Sequence, residues 1–178
     1  MDVRITRSQR NLWRGFFELM TDEKVPFSAI TINQICEKAL VHRSTFYQHF
    51  SDKYALLDYG LQILYTPYWE LASEAKLQAP FVTAASFFKG SQAEGLLETQ
   101  KQDAVFQQLL QEKSSQSMAA DFYDYYQKLE LDELPTSLLV QQTVSTIFAL
   151  SQWQQGQTDN ISPETMDKYF QRLKPTIQ

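Results

Sequence analysis

The sequence predicts an all-α protein: a three-helix amino-terminal head with a helix-turn-helix in residues 1 to 51, then a long fourth helix leading into a helical bundle in residues 52 to 178. Three observations carry this. Gly is scarce, with five in 178 residues, and period-two alternation is nowhere sustained. Apolar residues recur instead at spacings of three, four and seven along most of the chain. Between Ala29 and Phe50, AITINQICEKALVHRSTFYQHF, two short helical patterns stand on either side of a brief turn. With 43% apolar residues the chain can bury a real core, and its length suits one compact body with a small head better than two independent domains.

Helix 1 is expected over residues 7 to 22, with Leu12, Phe16, Leu19 and Met20 inward and Trp13 and Phe17 on the adjoining edge. Pro26 breaks the chain before the helix-turn-helix, and Phe27 can pack beneath it. The next helix opens on Thr31, whose hydroxyl can accept an amide bond while Gln34 reaches back, a capping box. Ile32, Ile35, Cys36 and Ala39 share its inner face. The following helix runs from about His42 or Arg43 to Gln48, with Phe46 and Phe50 inward. Ser44, Tyr47 and Gln48 lie at i, i+3 and i+4 and form an outward stripe, flanked by Arg43 and Thr45. A short helix with such a polar face suits a DNA major groove.

Thr31, Ile35, Ala39, Val41, the run Arg43-Ser44-Thr45-Phe46-Tyr47-Gln48-His49-Phe50, and Lys53 together resemble the DNA-binding signature of the tetracycline-repressor (TetR) family. The likeness covers roughly residues 5 to 65 well and the remainder in outline. It implies that Thr31 and Tyr47 hold phosphates, that Arg43, Ser44 and Thr45 face base edges, that His49 touches the backbone, and that Lys53 pins a phosphate at the start of helix 4. His42 and Gln48 complete the implied DNA-binding set. Two positions depart from the family pattern. Leu40 stands where Gly is usual, which costs about 1 to 2 kcal/mol if that position keeps a positive φ, unless the turn is reshaped. His42 stands where Ser often caps the recognition helix, a loss of roughly 1 kcal/mol if nothing replaces it.

Arg4, Arg7, Arg10 and Arg14 recur along the start of helix 1 and are open to two readings, a solvated face or contact with DNA backbone. After Phe50, Ser51 is a good N-cap for helix 4, which carries Leu57, Leu61, Leu64 and Tyr65 and runs to about Lys76, kinked or restarted at Pro67. From 79 to 101 the pattern is weakest and short helices are expected. Helical patterns resume over 104 to 112 and again over 115 to 131. Pro135 precedes a helix of about twenty residues ending near Gln155. Ser162-Pro163-Glu164 then opens the last helix with a cap, an N1 proline and an acidic first turn.

The net charge of -5 divides unevenly: residues 1 to 66 carry eight Lys and Arg against seven Asp and Glu, and residues 67 to 178 carry eight against fourteen. A modestly basic head on an acidic body is compatible with phosphate binding through the head. The single Cys36 excludes an intrachain disulfide. No histidine or cysteine cluster at ligand spacing, phosphate loop or nucleophile motif is present, so neither enzyme, metal site nor cofactor is expected. Without a signal-peptide pattern or a long apolar run, a soluble cytoplasmic protein is expected, with no membrane partner.

The body's aromatics, among them Tyr65, Phe88, Phe106, Phe122, Tyr126 and Trp153, are either core or the lining of a pocket for a small apolar or aromatic effector. Val144, Ile147, Phe148, Met166, Phe170 and Leu173 lie on apolar faces of the last two helices, and the TetR resemblance implies that such a pair forms a four-helix homodimer interface. The implied function is a dimeric transcriptional regulator, a ligand-responsive repressor reading a near-palindromic operator in double-stranded DNA. The alternative is a helical co-regulator that acts by binding another protein.

Overall fold

The computed structural model describes residues 7–129, 134–159 and 161–174, and among them every regular element is helical. The chain forms two compact units: the first takes the chain to Pro67 together with Gly90–Leu110, the second Tyr68–Lys89 and the chain from Gln111 onward. No helix among the described residues is long and apolar enough to cross a membrane.

In the first unit, α1 (Arg7–Thr21) buries Leu12, Phe16, Leu19 and Met20 as its periodicity predicts. Gly15 shares that face, and a Cβ there would lie 3.0 Å from the backbone nitrogen of Ala39. Glycine therefore permits the close approach of α1 to α2 (Ile32–Ala39). The two-turn helix α3 (Arg43–His49) is fastened by Phe46 and Phe50, both buried in the same core. Helix α4 (Lys53–Trp69) opens on Asp52, whose Oδ1 accepts the Ala55 amide at 2.8 Å, so the cap is Asp52 and not Ser51. Phe27, in the 3-10 turn Phe27–Ala29, is fully buried; its ring meets those of Phe16, Tyr54 and Phe106 at 5.3 to 6.2 Å.

Phe106 comes from the start of α8 (Ala104–Gln127), and Leu96 from α7 (Gln92–Thr99) joins the same core. Between these helices the chain grips the α1–α2 connection. Gln100 is buried; its Nε2 donates to the carbonyls of Met20 (2.9 Å) and Val25 (3.1 Å), and its Oε1 accepts the Phe27 amide at 2.8 Å. Asp103 accepts the Ser28 amide at 2.7 Å and, with its other oxygen, the Phe106 amide at 3.0 Å, which caps α8. Lys53 donates to the carbonyls of Phe27 (2.9 Å), Ser28 (3.0 Å) and Ile30 (2.8 Å). A connection with few partners of its own is thus satisfied by three side chains. Burial pushes the Asp103 carboxyl up, but the amides of Ser28 and Phe106 outweigh it and hold the group below its ordinary value.

Pro67 lies inside α4, which ends two residues later at Trp69; the chain resumes in the second unit as α5 (Ser73–Gln78), so the expected run to Lys76 is two helices. Lys76 of α5 is buried with its ammonium 2.9 Å from Asp121 Oδ2, donating also to the Trp69 carbonyl and lying over the rings of Tyr68 and Trp69. Asp121 belongs to α8, which is one helix of 24 residues where two were expected. The polar run from Gln111 to Ser117 interrupts the apolar pattern but contains no Gly or Pro to interrupt the backbone. Helix α9 (Thr136–Gln155) and α10 (Pro163–Leu173), the latter capped by Ser162 as expected, supply most of the core with Phe122 and Tyr126. Asp167 of α10 accepts the amides of Phe81 (2.8 Å) and Val82 (3.0 Å), capping α6 (Pro80–Phe88) from a distant part of the sequence.

Replacing Gln100 with Leu strands two carbonyls and an amide in the first unit, and is expected to lower the unfolding free energy by roughly 2 to 4 kcal/mol in urea titrations. For Asp103, whose folded pKa lies below its unfolded one, the stabilisation is fully present above the unfolded value of about 3.9 and is lost as pH falls through the folded one. The stability gap between wild type and Asp103→Asn should accordingly narrow below about pH 4.

Candidate nucleic-acid interface

The outward stripe predicted for α3 is present. Arg43, Ser44 and Gln48 are exposed, Tyr47 is 48% exposed, and Thr45 and His49 are half-buried. The stripe is held from behind by Phe46, whose ring meets those of Tyr47 and Phe50. Arg43 does not project freely: one terminal nitrogen donates to Asn33 Oδ1 at 3.2 Å and the other to the Tyr47 hydroxyl at 3.0 Å, with the guanidinium 5.5 Å from the Tyr47 ring centre. Ser44 and Gln48 make no side-chain hydrogen bond among the described residues, which leaves their donors and acceptors for an outside partner.

Thr31 forms the expected capping box. Its hydroxyl accepts the Gln34 amide at 3.3 Å and donates to Gln34 Oε1 at 2.8 Å, while its own amide donates to the same oxygen at 2.9 Å. Holding a phosphate through that hydroxyl would require giving up one of these bonds. His42 sits at the N-cap of α3 with no side-chain cap bond, as its chemistry predicts. Leu40 resolves the question of the turn. It adopts φ 54 and ψ 46, its amide bonds the Glu37 carbonyl and the Val41 amide bonds that of Cys36, the Schellman ending that Gly usually provides. The turn is not reshaped, and Leu40, 91% exposed, bears the left-handed strain.

Lys53 requires a correction. An ammonium has three protons, and the carbonyls of Phe27, Ser28 and Ile30 take all of them. It also lies 4.8 Å from the Phe27 ring centre, and burial lowers its pKa against the opposing charge of Asp103. Lys53 is a clamp on the loop beneath the helix-turn-helix and has no proton left with which to pin a phosphate. Among the helix 1 arginines, Arg7 and Arg10 are exposed and Arg14 pairs with Glu18 at 3.8 Å, while Arg4 lies outside the described residues. Residue spacing did not disclose Asn33, because its partner lies ten residues on, across the turn.

The six aromatics proposed for a pocket are divided. Phe106 is fully buried in the first unit's core, and Tyr65, half-buried against the same core, has its phenol pushed well above the ordinary range by burial. Phe122 and Tyr126 are together in the second unit's core, where the Tyr126 hydroxyl meets Thr143 Oγ1 at 2.9 Å. Phe88 packs on Tyr68, whose phenol burial pushes up to about 12. Trp153 is 44% exposed and stands against Tyr169.

Four of the six residues expected at a subunit interface are also corrected. Val144, Ile147, Met166 and Phe170 are buried in the subunit's own core together with Phe122 and Tyr126 of α8 and Leu77 of α5, and Phe148 is packed against that core. Leu173 is exposed. With Thr146, Ala149, Trp153, Tyr169 and Arg172 it lines a groove of about 640 Å³ on α9 and α10. No group of three His, Cys, Asp or Glu among the described residues is placed to hold a metal ion.

Residues 23–59 match the family model described as bacterial regulatory proteins, tetR family. An uncharacterized HTH-type transcriptional regulator of Bacillus subtilis (strain 168), YxbF, is 34% identical over 62 residues, which are 35% of this chain and only 16% of that protein. The crystal structure of a TetR transcriptional regulator from Streptococcus agalactiae 2603V superposes with a TM-score of 0.66 at 20% identity, covering 98% of this chain and 97% of that one. At that identity the likeness is one of fold.

Two substitutions test the local energetics. Leu40→Gly relieves about 1 to 2 kcal/mol of strain but adds unfolded-chain freedom worth roughly 0.4 to 1 kcal/mol, so a net gain of about 0.5 to 1 kcal/mol is expected by urea unfolding. His42→Ser should add about 1 kcal/mol by supplying the missing cap; unchanged midpoints for both would refute this account of the turn.

Proposed function

We propose, for a chain that belongs to the tetR family of bacterial regulatory proteins through its amino-terminal head, that it is a dimeric repressor which places α3 in the major groove of each half of a near-palindromic operator. The observation that carries this is the face of α3. Arg43, Ser44, Tyr47 and Gln48 stand exposed on a helix whose opposite side is locked into the core by Phe46. Arg43 and Gln48 are side chains that can read base edges, and Ser44 and Tyr47 can hold base or phosphate. Lys53 has no part in the contact. Its three bonds hold the α1–α2 loop instead.

Pairing of two subunits is supported by the exposed apolar groove on α9 and α10. Trp153 and Leu173, 44% and 59% exposed, are costly to leave in water and suited to burial against the same face of a second copy. Dimerisation through this outer face replaces the buried stripe first expected. An effector acts by preferring one arrangement of the body, and lowers operator affinity by its differential binding to the two arrangements. For the co-regulator alternative, Leu40 in its left-handed conformation argues against a reshaped turn, while the uncapped His42 and the acidic second half of the chain still fit it.

The test is fluorescence anisotropy of the purified protein with duplexes from upstream of its own gene, at two salt concentrations and beside Arg43→Ala. Specific binding is expected, weakening by about a hundredfold or more between 50 and 200 mM salt, with Arg43→Ala relaxing preference at one base pair by about 1 to 3 kcal/mol. A dimeric protein that prefers no fragment would overturn the reading in favour of a protein partner.

A further inference from the structure

We propose that Asn33 of α2 is a positioning residue for base reading, holding the Arg43 guanidinium in the pose in which α3 presents it to DNA. The inference rests on the DNA-reading assignment of α3 given above and adds to it a residue from a different helix.

Arg43 carries more rotamer freedom than any other side chain on this face, and ordering it on binding costs entropy that a preformed contact has already spent. Asn33 and Tyr47 supply that order from two sides, at 3.2 and 3.0 Å, one from each helix of the motif. A guanidinium only donates, so the Asn33 carbonyl oxygen must face it and the amide NH₂ must turn away. The same inventory shows what is left over. Of five N–H donors on Arg43, two are used, and one remains on each terminal nitrogen beside Nε–H, enough for a bidentate pair of bonds to a guanine edge. The clasp therefore fixes the fork without consuming it. Tyr47 alone cannot do this, because it lies on the same helix as Arg43 and would let the pair swing together; Asn33 ties the fork to the helix behind.

The consequence is that base preference at the position read by Arg43 depends on a residue that need not touch that base. Asn33 is exposed, so its truncation leaves the core intact. With operator duplexes mutated one base pair at a time, Asn33→Ala is expected to lose about tenfold of discrimination at the same base pair that Arg43→Ala relaxes. Affinity for unrelated duplex at the same salt should change by less than about twofold, since the phosphate contacts are untouched. The two substitutions should be strongly non-additive, and Asn33→Asp, which keeps the acceptor, should keep the preference. If Asn33→Ala acts at another base pair, weakens all sequences alike, or adds fully to Arg43→Ala, Asn33 does not position Arg43. A wild type that discriminates while Asn33→Ala discriminates equally overturns this inference alone; a wild type with no preference among sequences overturns it together with the DNA reading.

Discussion

The first unit depends on the satisfaction of one irregular stretch, the connection from Met20 to Ile30. It turns the chain from α1 into the helix-turn-helix, and seven of its amides and carbonyls are bonded by side chains from elsewhere in the chain. Gln100 answers three of them, Asp103 one, and Lys53 three more. None of these side chains belongs to the stretch itself. Phe27 is the apolar counterpart, a fully buried ring around which Phe16, Tyr54 and Phe106 converge. With the loop fixed, α2 and α3 inherit a fixed starting point, and the capping box at Thr31 and the aromatic pair Phe46 and Phe50 set their angles.

Much of this was legible in the residues. The inner faces of α1 and α2, the Thr31 and Gln34 box, the outward stripe of α3 and the Ser162 cap all follow from local spacing and local chemistry, and each is found where the spacing puts it. What was not legible is what depends on distant partners. Lys53 has the same place in the sequence whether it points out to phosphate or in to three carbonyls, and only the folded loop decides. Gln100 sits in the least patterned part of the chain and carries no signal of its burial. Asp103 carried half a signal: as the residue before a helix it reads as a cap, and it is one, but its second oxygen reaches Ser28.

The body shows the same division for a different reason. Periodicity identified the apolar stripes of α9 and α10 correctly but could not say which partner each stripe meets. The stripe through Val144 and Ile147 and that through Met166 and Phe170 close into the subunit's own core, leaving the weaker stripe of Trp153, Tyr169 and Leu173 outside. The strongest apolar pattern belongs to the core, where area is largest. A face that must survive in water before it meets a partner is more mixed, and here it includes Arg172 and Thr146.

The two units are interleaved in the chain, and this has a consequence for synthesis. The helix-turn-helix is complete when Pro67 has been made, yet Gln100 and Asp103, which close its supporting loop, follow 33 and 36 residues later. At about 5 to 20 residues per second that is a delay of roughly two to seven seconds. During it the nascent head has its helices and the Lys53 bonds to Phe27, Ser28 and Ile30 but lacks those of Gln100 and Asp103 and the ring of Phe106 against Phe27. The loop that supports the recognition helix thus gains its last bonds only after the helix itself has been made, and a chain cut short before residue 100 lacks the bonds of Gln100 and Asp103 to it.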